Sequence, residues 1–128
     1  MKLFKHPFIY VKNSPEERFG VYTDVFISKG TLIEQCHFAT VGEGTNNETI
    51  KGYMYNYHSP SGVNKQIIPF GYGAIYNHND YHNTEFYIDY DRDIMVFRVI
   101  ENVFKGDQLY INYGPDFSNK LKLNSLYG

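Results

Sequence analysis

Two alternating runs joined by a three-residue polar turn constrain this chain most. From Thr84 to Tyr90 the pattern has period two, with Phe86, Ile88 and Tyr90 on one face. Asp91-Arg92-Asp93 follows, and the stretch from Ile94 to Ile100 alternates again. A period of two does not lay an apolar stripe along a helix, so the segment is predicted to be a β-hairpin.

The rest of the chain is cut into similar short pieces. Phe8 to Lys12 is a β-branched and aromatic run closed by Asn13-Ser14-Pro15, and Gly20 to Thr23 is a second. Ser28-Lys29-Gly30 reads as a turn ahead of the extended stretch Thr31 to Val41. Lys105-Gly106-Asp107 reads as another turn, ahead of a last strand from Gln108 to Tyr113. The two Lys-Gly turns are similar β-turns rather than an internal repeat. Gly42 to Asn47 and Ser59 to Asn64 are loops by composition. Ile50, Tyr53, Met54 and Tyr57 fit one helical face, so an insert spanning about 43–68 is compatible with a short helix over 48–57. Short strands with turn chemistry at close intervals predict a mainly β, barrel-like fold. At 128 residues the chain has the length of a single domain, 1–128.

Composition narrows the function classes. Tyr (13) and Phe (10) supply aromatics enough for a packed core, which argues against disorder. A net charge of −2 argues against a general nucleic-acid binder. No apolar run approaches the roughly 18–20 residues that cross a bilayer, and Phe8-Ile9-Tyr10-Val11 is too short for a secretory core. The single Cys36 excludes an internal disulfide and a multi-cysteine zinc cluster. A soluble, intracellular protein, cytoplasmic by default, is expected.

Three constellations hold candidate chemistry. The densest is Asn77-His78-Asn79-Asp80-Tyr81-His82-Asn83, after the glycine-rich lead-in Pro69 to Tyr76. It reads either as a functional loop on a rigid scaffold or as a solvated loop that satisfies its own turns. His78 and His82, with Asp80 and Glu85 nearby, also raise a metal site, but their spacing aligns two imidazoles only on a helix, which the Asn and Asp residues disfavour. The second constellation is Leu109 to Pro115, where Tyr113 stands as the chain leaves its last strand. Its hydroxyl either points into a cleft or bonds to backbone in the core. The third is Glu17 to Tyr22, where Gly20 allows either a close backbone approach or a simple bend.

Taken in order, these pieces resemble the SET domain of protein-lysine methyltransferases. Arg18-Phe19-Gly20-Val21-Tyr22 and Ile27 to Glu34 are similar to that family's G-x-G-V-F and I-x-K-G-x-x-I-x-E strands. Gly73 to His78, with Asn83 six residues after Asn77, is similar to its aromatic-N-H-S-x-x-P-N motif. Phe97 to Ile100, Lys105 to Leu109 and Ile111 to Gly114 resemble its final A-x-R-x-I-x-x-G-E-E-L-x-x-x-Y-G motif. The match runs over about residues 7–117, and the compact length resembles the minimal viral and bacterial members. Arg18 stands at the first glycine of the first motif, Asn79 at its serine and His82 at its proline, and the flanking cysteine-rich zinc regions are missing.

The resemblance implies a β-clip-like fold with a knot-like C-terminal crossing. It also implies methyl transfer from S-adenosyl-L-methionine to a lysine amine on a histone tail or other basic protein. Tyr113 is then the catalytic residue. Phe19, Gly20, Tyr76, Asn77, His78 and Phe117 are the cofactor residues, and Asn83 braces the crossing. Tyr53, Phe86 and Ile111 are the substrate-side walls, and no metal is expected. Without flanking zinc, the tail 115–128 would close the site through Phe117 and Leu121. A lysine with a pKa near 10.4 is neutral in only about one molecule in 2,500 at pH 7, a handicap of roughly 4.6 kcal/mol that a dry aromatic channel offsets. Phe86 and Ile111 carry no hydroxyl, which leaves room for more than one methyl. Minimal relatives form homodimers in some cases, and a viral or effector origin would place the protein in a host nucleus. Two alternatives compete: a SET-like binding module without catalysis, and a metal-dependent β-barrel enzyme using His78, His82 and Glu85.

Overall fold

The computed structural model describes residues 2–42 and 52–114. Among them are ten strands in three small sheets and no helix. The strands are β1 (Ile9–Asn13), β2 (Phe19–Thr23), β3 (Leu32–Cys36), β4 (Phe38–Val41), β5 (Tyr55–His58), β6 (Asn64–Pro69), β7 (Asn77–His78), β8 (Thr84–Asp89), β9 (Ile94–Val99) and β10 (Gln108–Ile111).

The expected hairpin is β8–β9, antiparallel from Thr84↔Val99 to Asp89↔Ile94. β3 pairs with the other edge of β9, so β9 is the middle strand of the sheet β3-β9-β8. That position explains a departure from the expected alternation. Ile94, Met95, Val96 and Phe97 are all buried, because a central strand covered on both faces needs no polar side. β8 keeps the two-sided pattern, with Phe86 and Ile88 packed on the core and Glu85 and Tyr87 outward.

The Thr31–Val41 stretch divides into β3 and β4. A register irregularity between Leu32 and Glu34 turns two successive residues inward, so Ile33 and Glu34 are both buried. The insert supplies β5 and most of β6 to a second antiparallel sheet, β4-β6-β5. Its β5 corrects the helical reading over 55–57. Tyr55 and Tyr57 point inward while Asn56 and His58 point outward, a period of two fixed by pairing with β6. Residues 48–51 of that reading, and the tail from 115 to 128, lie outside the described residues.

The last sheet positions the site. Its order is β1-β2-β10-β7, with β10 antiparallel to β2 and parallel to β7. The C-terminal strand therefore lies between the N-terminal strands and the Asn77-His78 segment. Asn83 locks this crossing. Its Nδ2 donates to Gln108 O at 2.9 Å, and its Oδ1 accepts from Tyr110 N–H at 2.9 Å. Its backbone N–H reaches Tyr110 O at 3.2 Å. No helix among the described residues is long and apolar enough to cross a membrane.

Candidate active site

Residues at three distant places in the sequence meet where β2, β7 and the end of β10 converge. Asn77 is buried, and its Nδ2 donates to Phe19 O at 3.2 Å, joining the first segment to the second. Tyr113 joins the third. Its hydroxyl donates to Tyr76 O, and its backbone N–H donates to His78 Nδ1 at 3.0 Å. The His78 and Tyr113 rings stack 5.3 Å apart with their planes 19° from parallel. Because His78 Nδ1 accepts, its proton sits on Nε2, which faces Asp80 Oδ1 at 3.0 Å.

Tyr113 is half-buried among rings. Tyr55 lies 6.0 Å away by centroid, and Phe86 packs edge-on against Tyr55 at 4.9 Å. Burial pushes the Tyr113 hydroxyl up to about 12, the Arg18 guanidinium draws it partly back, and Tyr53 adds a further rise. At neutral pH the group is a fixed hydrogen-bond donor and not a base. Arg18 lies over the Tyr53 ring, 5.1 Å from its centroid. Its Nε is the one buried side-chain polar atom without a hydrogen-bond partner among the described residues.

The expected site residues divide by what their side chains touch. Phe19 is 60% exposed and Tyr53 39%, so both sit at the rim. His78 stacks directly on the Tyr113 ring, whereas Phe86 is linked to it through Tyr55. Tyr76 brings its carbonyl to the site, but its ring stacks on Phe97 at 4.5 Å in the core and its hydroxyl donates to Glu34 at 2.8 Å. Ile111 is fully buried in the core, and its carbonyl accepts from Asn79 N–H at 3.0 Å. Gly20 meets a close approach, but from side chains. A Cβ there would collide with Gln108 Oε1 and stand 3.0 Å from Asn77 Nδ2. Phe117 lies outside the described residues.

Sequence reasoning missed Tyr55, whose ring lies 6.0 Å from that of Tyr113. Its alternation with Tyr57 was the available signal. It also missed Glu34, which is 1% exposed and accepts from Tyr72 N–H at 2.9 Å as well as from Tyr76. Gly71 permits this, since it has φ +67 and an added Cβ would lie 2.5 Å from Glu34 Oε2. Burial raises the Glu34 carboxyl above its ordinary value, with the Tyr72, Tyr76 and Cys36 hydrogen bonds and Lys5 opposing. As to a metal, no group of three or more His, Cys, Asp or Glu among the described residues is placed to share an ion.

Residues 18–114 match the family model of the SET domain, well over half of the chain. Among solved structures, the crystal structure of a Plasmodium falciparum "putative histone methyltransferase" is similar at 26% identity. The likeness covers 84% of this chain and 97% of that one, with a TM-score of 0.68. No curated sequence matches. The matched span opens at Arg18 and closes at Gly114, so it contains the three converging segments. The chain belongs to the SET domain family.

Proposed function

We propose that this protein is a protein-lysine N-methyltransferase that uses S-adenosyl-L-methionine, acting on a histone tail or another basic protein. The observation that carries the reading is the half-buried Tyr113 phenol, protonated and anchored on the Tyr76 carbonyl at the meeting point of the three segments. When bound, S-adenosyl-L-methionine supplies an electrophilic methyl group.

The chain's own residues fit such a donor. The orphaned Arg18 Nε suits the carboxylate of an amino-acid moiety, and the Asn77 carboxamide suits its ammonium group. The exposed Phe19 ring offers an apolar shoulder, and Phe117 is assigned to the adenine by resemblance. On the substrate side, Tyr55, Phe86 and Tyr53 exclude water from an entering amine. Desolvation disfavours the ammonium form, and so does the fixed positive charge of Arg18. Tyr113 and nearby carbonyls orient the neutral amine in line, where positioning lowers the barrier of a two-substrate reaction. The acidic balance of the chain suits a basic partner, and intracellular placement is part of the same reading.

The test is Tyr113→Phe, assayed with labelled S-adenosyl-L-methionine and a histone mixture. Fold and donor affinity should persist while turnover drops about 10²-fold or more, the scale of losing one aligned donor. Turnover like the wild type would remove Tyr113 from the mechanism. The competing reading, a binding module without catalysis, is motivated by Arg18 at the motif's first glycine. Little calorimetric heat with the donor would favour it.

A further inference from the structure

Asn77 does not set its own orientation. Its Nδ2 donates to Gln108 Oε1 at 2.8 Å and to Ser14 Oγ at 3.2 Å, besides Phe19 O. Gln108 is buried on β10 and passes the direction onward. Its Nε2 donates to the Tyr110 hydroxyl at 2.8 Å, to the Tyr22 hydroxyl at 3.1 Å and to Glu16 Oε2 at 3.4 Å. The Tyr110 hydroxyl in turn donates to Glu16 Oε1 at 2.5 Å. Every donor in this chain points the same way, from Asn77 to the Glu16 carboxylate.

A carboxylate only accepts, and this one terminates the chain. It therefore draws the hydrogen-bearing end of the Gln108 amide toward itself and leaves Gln108 Oε1 facing Asn77. Asn77 must then present its NH₂ to β10 and β2, with its carbonyl oxygen on the opposite side of the amide. Gly20 holds the space for both amides, as an added Cβ would enter it. Where the family motif is written with a carboxylic acid at the position of Gln108, this chain has the amide there and a carboxylate at Glu16 in the loop before β2.

We propose that Glu16 and Gln108 are positioning residues which fix the Asn77 carboxamide with its oxygen toward the ammonium group of the methyl donor. This rests on the reading of S-adenosyl-L-methionine as that donor. The pair acts through Asn77 and touches neither the methyl group nor the substrate amine.

The experiment is a charge swap read by calorimetry with S-adenosyl-L-methionine. Gln108→Glu puts a second carboxylate against Glu16 and removes the Nε2 donors by which Glu16 sets the side chain at 108, so the two carboxylates repel and the acceptor facing Asn77 is displaced. Donor affinity should fall about tenfold or more, while kcat at saturating donor stays within about twofold of wild type. The double variant Glu16→Gln, Gln108→Glu restores one carboxylate and one amide, and affinity should return to within about threefold of wild type. Affinity that falls and returns while kcat at saturating donor stays level separates positioning of Asn77 from a merely structural role, which would lower both. Circular dichroism and thermal unfolding establish that each variant is folded, and Glu16→Gln alone serves if Gln108→Glu is not. Its single lost charge should still weaken donor binding measurably. Wild-type affinity in the folded single variants, or no recovery in a folded swap, overturns the proposal. Absence of donor binding by the wild type overturns the donor reading instead. In that case the Asn77 side-chain amide resonance of the ligand-free protein decides the clamp. It should move in Gln108→Glu and return in the swap, and an unmoved resonance would rule the clamp out.

Discussion

Two glutamates brace neighbouring residues, and their surroundings shift their carboxyls in opposite directions. Glu34 holds Tyr76 from the core, and Glu16 holds Asn77 through Gln108 and Tyr110 from the surface. Successive strand residues face opposite sides, so the two braces work from opposite faces of the same short segment. Burial dominates at Glu34 and lifts its carboxyl above the ordinary value. At Glu16 desolvation also pushes upward. There, bonds from the Tyr110 and Ser14 hydroxyls, its own backbone N–H and Gln108 together hold it below the ordinary value. One side chain type thus serves as a strut whose carboxyl is shifted upward in a dry place and as an anchor whose carboxyl is shifted downward in a wet one. The first should matter for stability and the second for the orientation of the site.

Removing the buried brace should have the larger effect. Glu34→Ala strips the acceptors from Tyr72 N–H and the fully buried Tyr76 hydroxyl and leaves a cavity beside Gly71. Two orphaned donors plus the void should cost about 3–5 kcal/mol, a large share of a small domain's stability. Urea unfolding measures it. Glu16→Ala, at an exposed position, should stay within about 1 kcal/mol in the same assay. Equal losses from the two variants would erase the contrast between the two braces.

Gly20→Ala probes the wet side from within. The new methyl would collide with Gln108 Oε1 and crowd Asn77 Nδ2, so the amides must separate. Overpacking of this kind should cost about 1–3 kcal/mol, and donor affinity should fall with it. The same substitution leaves the Glu34 brace untouched, so Tyr76 should keep its packing on Phe97. Near-UV circular dichroism like that of the wild type, with weakened donor binding, would sharpen the division. Unchanged binding would show that the Asn77–Gln108 contact tolerates displacement.

This division was only partly visible in the sequence. The β8–β9 hairpin and the strands after the two Lys-Gly turns were legible because period-two patterns and turn residues are local signals, whereas the meeting of Gly20, Asn77 and Tyr113 was legible only through the resemblance to the SET domain. The helical reading at 48–57 failed over Tyr55 and Tyr57. Apolar residues there satisfy both periods, and only pairing with β6 selects one. The braces were not legible for a different reason. Glu16 and Gln108 lie in widely separated segments, and Glu34 entered only as the last residue of a strand motif, with nothing to mark its partners. Its inward turn depends on the register irregularity in β3, which follows from pairing with β9 and not from local pattern. Polar residues at otherwise buried strand positions, Glu34 and Gln108, were the signal that went unused.

The smallest expected effect is the difference in pH dependence, and its sign separates the two carboxylates. The folded value of Glu34 is raised, so between the ordinary value of 4.5 and that higher value the unfolded chain releases a proton that the folded chain retains. Stability contributed by Glu34 is full below the ordinary value and is lost as pH rises through the folded one, with a slope of at most about 1.4 kcal/mol per pH unit. Glu16 behaves inversely. Its folded value is lowered, so its contribution is present above 4.5 and is lost as pH falls through the folded value. Solvent screening keeps that contribution small. Glu34→Gln preserves shape and can accept from Tyr72 N–H while donating to the Tyr76 hydroxyl. Relative to wild type, this variant should gain stability between pH 5 and pH 8. Glu16→Gln should instead lose ground to wild type between pH 3 and pH 5 and run parallel to it above. Denaturant midpoints across pH 3–8 give both curves. Parallel curves for Glu34→Gln and wild type from pH 5 to pH 8 would mean that the buried carboxyl ionises as readily as an exposed one, and the two braces would then be electrostatically alike.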